Sequence, residues 1–421
     1  MDKLVIAGGK ALSGKIKISG AKNSCLPILA ASLLTEDRCV IFGVPDLRDV
    51  RTMVKILTAL GRDVSIDNDS VMISSGIVKN TIAEYELVST MRASIAVLGS
   101  LLGRYGEAKV SFPGGCVIGP RPIDLHFKGL RALGAELYTK AGYIVAKAEK
   151  LTGNRIYLGG HFGSSVLATV NTLLAAVLAK GETIIEMAAS EPEIVDLVSF
   201  LKKMGADISG EGTPTLKING VKELRGAEHK IIPDRIETGT FMLAAVATAG
   251  RLFLEDARPE HNLALIDKLK ECGADIKEKP NGIEIGRSGD RPGSADITTL
   301  TYPGFPTDLQ AQIMSLVTVS DGISVITEKI YPERFIHISE LNRMGAEIIL
   351  EGATAIVKGV KRLSGAPVMA SDLRASAALV IAGLIAEGET EISRVYHLDR
   401  GYEHIERKLS AVGADIRRIR E

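Results

Sequence analysis

A short phrase that occurs six times constrains this chain more than any other feature. Leu60-Gly61-Arg62-Asp63-Val64, Leu133-Gly134-Ala135-Glu136-Leu137, Met204-Gly205-Ala206-Asp207-Ile208, Cys272-Gly273-Ala274-Asp275-Ile276, Met344-Gly345-Ala346-Glu347-Ile348 and Val412-Gly413-Ala414-Asp415-Ile416 recur at a period of roughly 70 residues, longer than a solenoid repeat and closer to a small subdomain. Each glycine stands where a helix end asks for left-handed backbone, and the apolar alternation after it reads as a strand. Upstream of every phrase lies an apolar, small-residue helix: 27–34, 94–102, 169–179, 240–249, 310–319 and 375–386. Helices apolar on all sides belong in an interior. A β-rich run then follows, such as Thr183-Ile184-Ile185-Glu186 or Arg251-Leu252-Phe253-Leu254. The pattern predicts six strand-helix-strand-helix-strand units in two groups of three, with helices inside and sheets outside.

At 421 residues, two domains are expected, each able to bury a substantial core. Lys plus Arg and Asp plus Glu both total 51, so there is no electrostatic footprint for nucleic acid or anionic lipid, and a small ligand is the expected partner. The N-terminus has no basic region followed by a long apolar stretch, and the most apolar later run, 375–386, is too short to span a bilayer. A soluble, unexported protein without membrane insertion is expected. Cys25, Cys39, Cys116 and Cys272 lack paired spacing, and His126, His161, His229, His261, His337, His397 and His404 lack ligand spacing. Reduced thiols, no metal and no cofactor are therefore expected, with most histidines at the surface or locally hydrogen-bonded and His126 the one to watch, beside Asp124.

The buried helices begin at Lys22-Asn23-Ser24, Ser89-Thr90-Met91-Arg92, Gly163-Ser164-Ser165, Arg235-Ile236-Glu237-Thr238, Pro306-Thr307-Asp308 and Ser371-Asp372-Leu373-Arg374. Ser, Thr and Asp at such places also read as N-caps. A cation there opposes the helix dipole unless an anion compensates it, so Lys22, Arg92 and Arg374 suggest anion sites. The most specific segment is 112–126, Phe112-Pro113-Gly114-Gly115-Cys116-Val117-Ile118-Gly119-Pro120-Arg121-Pro122-Ile123-Asp124-Leu125-His126. Glycines and prolines around a thiol exclude regular structure and suit a lid. Arg121 could lower the pKa of Cys116 and hold a phosphate or carboxylate.

Ser19-Gly20-Ala21-Lys22-Asn23, the Gly114–Pro122 segment, Pro233-Asp234-Arg235-Ile236-Glu237-Thr238-Gly239, Phe305-Pro306-Thr307-Asp308-Leu309-Gln310-Ala311-Gln312, Asp372-Leu373-Arg374-Ala375-Ser376 and Asp399-Arg400-Gly401-Tyr402-Glu403 resemble the enolpyruvyl transferases. The likeness is to those whose acceptor is UDP-N-acetylglucosamine, and it runs over essentially the whole chain. It implies an α/β fold of two inside-out α/β barrel domains built from six repeated units. One domain would be 22–231 with the Cys116 lid, the other 1–21 plus 232–421, with the active site in the cleft between them. It further implies addition of the sugar 3′-hydroxyl to phosphoenolpyruvate and elimination of phosphate, the first committed step of peptidoglycan synthesis, in the cytoplasm.

By the same resemblance, Lys22, Asn23, Arg121 and Arg400 hold phosphoenolpyruvate. Cys116 donates the proton to C3 and can also add covalently, and Asp308 contacts the acceptor hydroxyl as its base. Arg92, Arg121, Pro122, Ile123, Asp124, Leu125, Ser165, Val166, Asp308 and Ile330 contact the nucleotide sugar. Arg374 and Asp372 would support the site from behind, and Arg334 and Glu191 read as salt-bridge partners. One departure stands out: Gly163-Ser164-Ser165-Val166-Leu167-Ala168-Thr169 has Leu167 where the family has glycine, and Gly163 in place of a lysine. Leucine there would crowd a close backbone approach, and loss of the lysine removes a phosphate contact. The rival readings are the shikimate 3-phosphate enzyme of the same fold, which lacks such a cysteine lid, a paralogue that binds UDP-sugar without turnover, and a DNA-encircling clamp, which the zero net charge opposes.

Overall fold

The computed structural model describes residues 2–114 and 123–420. The chain forms two compact units, one running from Gly20 to Ile232 and the other combining the residues up to Ser19 with those from Pro233 onward. All six repeated glycines have positive φ, from 86° at Gly273 to 104° at Gly205, the conformation that stops a helix and turns the chain into a strand. The helices they follow are Arg48–Ala59, Asp124–Ala132, Pro192–Lys203, Leu263–Glu271, Ile338–Arg343 and Ile405–Ala411.

Among the described residues the strands form six four-stranded sheets of one pattern. An outer strand runs parallel to the second, the second is antiparallel to the third, and the third is antiparallel to the fourth, as a hairpin in five sheets and between Lys3–Ala7 and Asp415–Ile419 in the sixth. The hairpin partner is a strand beyond the three per unit that the sequence indicated. Strands such as Tyr143–Lys147 and Thr354–Lys358 alternate buried with less buried residues, so each sheet lays one face on its unit's core.

In the unit from Gly20 to Ile232 the core is built on the helices Lys22–Ala31, Val97–Tyr105 and Val166–Ala176. A Cβ added at Gly99 would meet the Asn171 backbone oxygen at 2.3 Å, so two of these helices touch where only glycine fits. Ser100 Oγ donates to the Ala30 carbonyl at 2.8 Å, which accounts for a hydroxyl in that interior. In the other unit the corresponding helices are Arg235–Ala247, Gln310–Val317 and Leu373–Ile385, and Ser315 Oγ donates to the Ala378 carbonyl at 2.8 Å.

Three sheets are completed by strands far away in sequence. Ser13–Lys17 runs parallel to Arg251–Glu255, Lys3–Ala7 lies between Glu389–Ser393 and Asp415–Ile419, and Glu228–Lys230 runs parallel to Cys39–Phe42. No helix among the described residues is long and apolar enough to cross a membrane.

Candidate active site

In the unit carrying the C-terminal half, the chain turns through a short 3-10 segment, Thr307–Leu309, into the buried helix Gln310–Val317. Asp308 on this turn makes no capping bond, unlike Asp234 and Asp372, whose carboxylates each accept two backbone N–H groups. Its carboxylate lies between two buried guanidiniums: Arg334 donates to Oδ1 at 2.9 Å and Arg374 to Oδ2 at 2.8 Å. Burial works to raise this carboxyl, but the charges of Arg374 and Arg334 prevail and hold it well below the usual carboxylate range. Arg334, which reads as an ordinary salt-bridge partner in the sequence, is thus one of the two groups that keep Asp308 ionised. The helix-entry anion suggested at Arg374 is here the chain's own carboxylate.

Arg374 also donates to the Tyr402 hydroxyl at 3.2 Å, and that hydroxyl bonds Thr240 at 2.8 Å and Gln312 at 3.1 Å. Arg400 ends the 3-10 stretch Val395–Arg400, two residues before Tyr402. Gly401 lets this loop press on the start of the preceding buried helix, Leu373–Ile385, since a Cβ there would meet Leu373 Cδ2 at 2.6 Å. The structure therefore brings the Arg400 loop and Asp308 onto one hydrogen-bonded network. Ile330 is half-buried and its N–H is taken by Glu328 Oε1 at 2.8 Å.

In the other unit, Lys22 opens the helix Lys22–Ala31, whose first turn has no acidic residue. Asp49, from the start of Arg48–Ala59, supplies the missing anion at 3.1 Å, and both side chains are nearly buried. Asn23 beside it is half-buried. Arg92 starts the 3-10 segment Arg92–Ala96 and acts electrostatically on His126. Asn171 Oδ1 accepts the Gly99 N–H at 2.7 Å, which turns its Nδ2 toward His126 Nδ1 at 2.9 Å. That leaves a neutral imidazole with its proton on Nε2. Burial, aided by the Arg92 charge, pushes the His126 pKa down to about 3.

Ile123 precedes and Asp124 opens the helix Asp124–Ala132, with Asp124 exposed. Leu125 packs beside Gly160, which exchanges two backbone bonds with Gly163. Gly163 has φ of 92°, a conformation that would strain the lysine expected from the family pattern. Ser165 caps the helix that Val166 begins, accepting from Ala168 N–H at 3.4 Å. Leu167 packs half-buried against the core of its unit. Gly115, Cys116, Val117, Ile118, Gly119, Pro120, Arg121 and Pro122 lie outside the described residues.

The three described cysteines are buried, and burial raises the pKa of each: Cys25, Cys39, and Cys272 to about 11. None is a nucleophile at neutral pH. Two histidines besides His126 are also interior: His229 bonds Asp196 at 2.8 Å, and burial draws His337 down to about 4. A histidine with lowered folded pKa binds fewer protons than the unfolded chain below its ordinary value of about 6.5. Its contribution is therefore complete above about pH 6.5 and is lost as pH falls toward the folded value. For His126 and His337 the expected loss is about 1.4 kcal/mol per pH unit each, at most, across that window. Melting temperatures measured from pH 7 to 4.5 should fall less steeply in His126→Gln and His337→Gln than in the wild type. Equal slopes would show that neither imidazole stays neutral.

A family profile described as EPSP synthase (3-phosphoshikimate 1-carboxyvinyltransferase) matches residues 6–409. A UDP-N-acetylglucosamine 1-carboxyvinyltransferase of Methylacidiphilum infernorum is 56% identical over 419 residues, covering 100% of this chain and 99% of its own. The protein of the same description from Geobacter metallireducens is 52% identical over 421 residues, with 100% of both chains covered. The fold is similar to the crystal structure of the enolpyruvyl transferase NikO from Streptomyces tendae, with TM-score 0.89, 24% identity and 99% and 98% coverage. It is also similar to EPSP synthase from Acinetobacter baumannii, with TM-score 0.77, 17% identity and both chains fully covered.

Proposed function

The chain belongs to the EPSP synthase family of enolpyruvyl transferases, and from that membership we propose that it transfers the enolpyruvyl group of phosphoenolpyruvate to the 3′-hydroxyl of UDP-N-acetylglucosamine, releasing phosphate. The observation that carries this reading is the end-to-end likeness to two enzymes named for that transfer. Making the enolpyruvyl sugar is the entry to peptidoglycan synthesis, and the cytoplasm is the compartment we assign.

The chemistry needs an acid, a base and fixed positive charge. A proton is added to C3 of phosphoenolpyruvate, and the acceptor oxygen bonds C2 while giving up its own proton. The C2–O bond to phosphate then breaks as C3 loses a proton, regenerating the enol ether. We assign C3 protonation to Cys116, and charge stabilisation of the phosphate and carboxylate to Lys22, Arg121 and Arg400, with Asn23 beside them. Arg92, Arg121, Pro122, Ile123, Asp124, Leu125, Ser165, Val166 and Ile330 are assigned to the nucleotide sugar.

Asp308 is assigned to the hydroxyl proton. A carboxylate held so far below its usual range is a weak base toward a resting alcohol. It remains unprotonated at neutral pH, however, and can accept the proton once bond formation to an electrophilic C2 has made that hydroxyl strongly acidic. Arg334 and Arg374 support the role by fixing both carboxylate oxygens.

The test is inorganic phosphate release from phosphoenolpyruvate with UDP-N-acetylglucosamine, with shikimate 3-phosphate, or with no acceptor. Release confined to the nucleotide sugar is expected. Release only with shikimate 3-phosphate, or none with any acceptor, overturns the reading.

A further inference from the structure

Glu328, at the end of the strand Ile323–Thr327, is 1% exposed. Its Oε1 accepts from the Thr299 hydroxyl at 2.6 Å and from the Ile330 and Tyr331 N–H groups at 2.8 and 3.0 Å. Its Oε2 accepts from the Thr307 hydroxyl at 2.9 Å. All four partners are uncharged donors, so this interior asks for a group that only accepts, which an ionised carboxylate is and a carboxamide is not. A buried carboxylate is costly unless its lone pairs are met, and four donors meet them.

The bonds lead to two places. One arm fixes the backbone of Ile330 directly. In the other, the Thr307 hydroxyl spends its single proton on Glu328 and accepts from Arg334 Nη1 at 3.0 Å, while the same Nη1 donates to Asp308 Oδ1 at 2.9 Å. We infer that Glu328 is a positioning residue for the transfer: one buried carboxylate aims Asp308 through Thr307 and Arg334 and also sets the Ile330 backbone for the nucleotide sugar. The identity of both ligands rests on the proposed function.

Glu328→Gln tests both arms and Thr307→Val cuts only the arm to Arg334. The readouts are kcat, KM for phosphoenolpyruvate, UDP-N-acetylglucosamine Kd by calorimetry, and melting temperature. An amide nitrogen turned toward three donors, or toward Thr307, leaves buried groups unmet, which carries a penalty equivalent to roughly 5- to 100-fold. For Glu328→Gln, kcat is expected to fall and Kd to weaken by about tenfold each, with KM for phosphoenolpyruvate within about twofold. For Thr307→Val, kcat is expected to fall by a similar factor with Kd within about threefold.

A melting temperature lowered in Glu328→Gln, with kcat and Kd of the folded fraction unchanged, would mean a structural role alone and overturn the inference. So would a Thr307→Val enzyme with unaltered kcat, which decides the matter even if Glu328→Gln does not fold. A wild-type enzyme that neither binds UDP-N-acetylglucosamine nor releases phosphate with it would instead overturn the proposed function, and this inference with it.

Discussion

Asp308→Asn is expected to cut acceptor-dependent phosphate release by about 10²- to 10⁴-fold, the range that loss of a positioned base produces. Asparagine keeps the shape and one acceptor oxygen, so Arg334 or Arg374 retains a partner, but it cannot take the hydroxyl proton. It also leaves two arginines, 5% and 4% exposed, without the charge they enclose. Breaking a buried pair costs about 3–5 kcal/mol, and because the Asp308 side chain is 28% exposed water offsets part of that, so about 2 kcal/mol of stability is expected to be lost. The two effects separate in a measurement of kcat per folded molecule alongside the melting curve. A variant that melts early yet keeps kcat within tenfold of wild type would make Asp308 an anchor for arginines and nothing more.

The pH dependence follows from the same geometry. A carboxyl with lowered folded pKa gives stability that is fully present above its unfolded value of about 3.9 and is lost only as pH falls through the folded value. Asp308 therefore stays ionised down through mildly acidic conditions, and an acid limb of kcat/KM near neutrality belongs to another group.

Cys116→Ala is expected to lower phosphate release by a similar factor of about 10²–10⁴, through loss of the proton donor. Cys116→Asp restores an acid at that position and should recover most of the turnover while abolishing covalent trapping by a thiol-directed epoxide. Cys25, Cys39 and Cys272 make this test clean, because their thiols are buried with raised pKa values and are expected to stay unmodified until the protein unfolds. Epoxide inhibition that survived Cys116→Asp would remove Cys116 from the proposed mechanism.

The residues to which the proposed site is assigned lie in local phrases. Lys22-Asn23, Pro306-Thr307-Asp308 and Asp399-Arg400-Gly401 each stand at a helix or loop boundary visible in the sequence. Their partners were not legible. Asp49 is an unremarkable acid at the start of an outer helix until Lys22 lies 3.1 Å from it. Tyr402, Gln312 and Thr240 read as buried-helix and loop residues until their side chains meet on one hydroxyl. Glu328 follows an ordinary strand, and nothing at its own position announces four donors gathered from residues 299 to 331.

The sequence by itself determined the six-fold repetition, the helix stops, the interior helices and the family, because backbone conformation at glycine and the burial of apolar faces act over a few residues. Tertiary structure alone decided which distant strands complete the sheets, such as Ser13–Lys17 beside Arg251–Glu255. It also decided which charges compensate one another, since an ion pair such as Asp308 with Arg374 depends on side chains 66 positions apart being desolvated together, and sequence spacing carries no record of that.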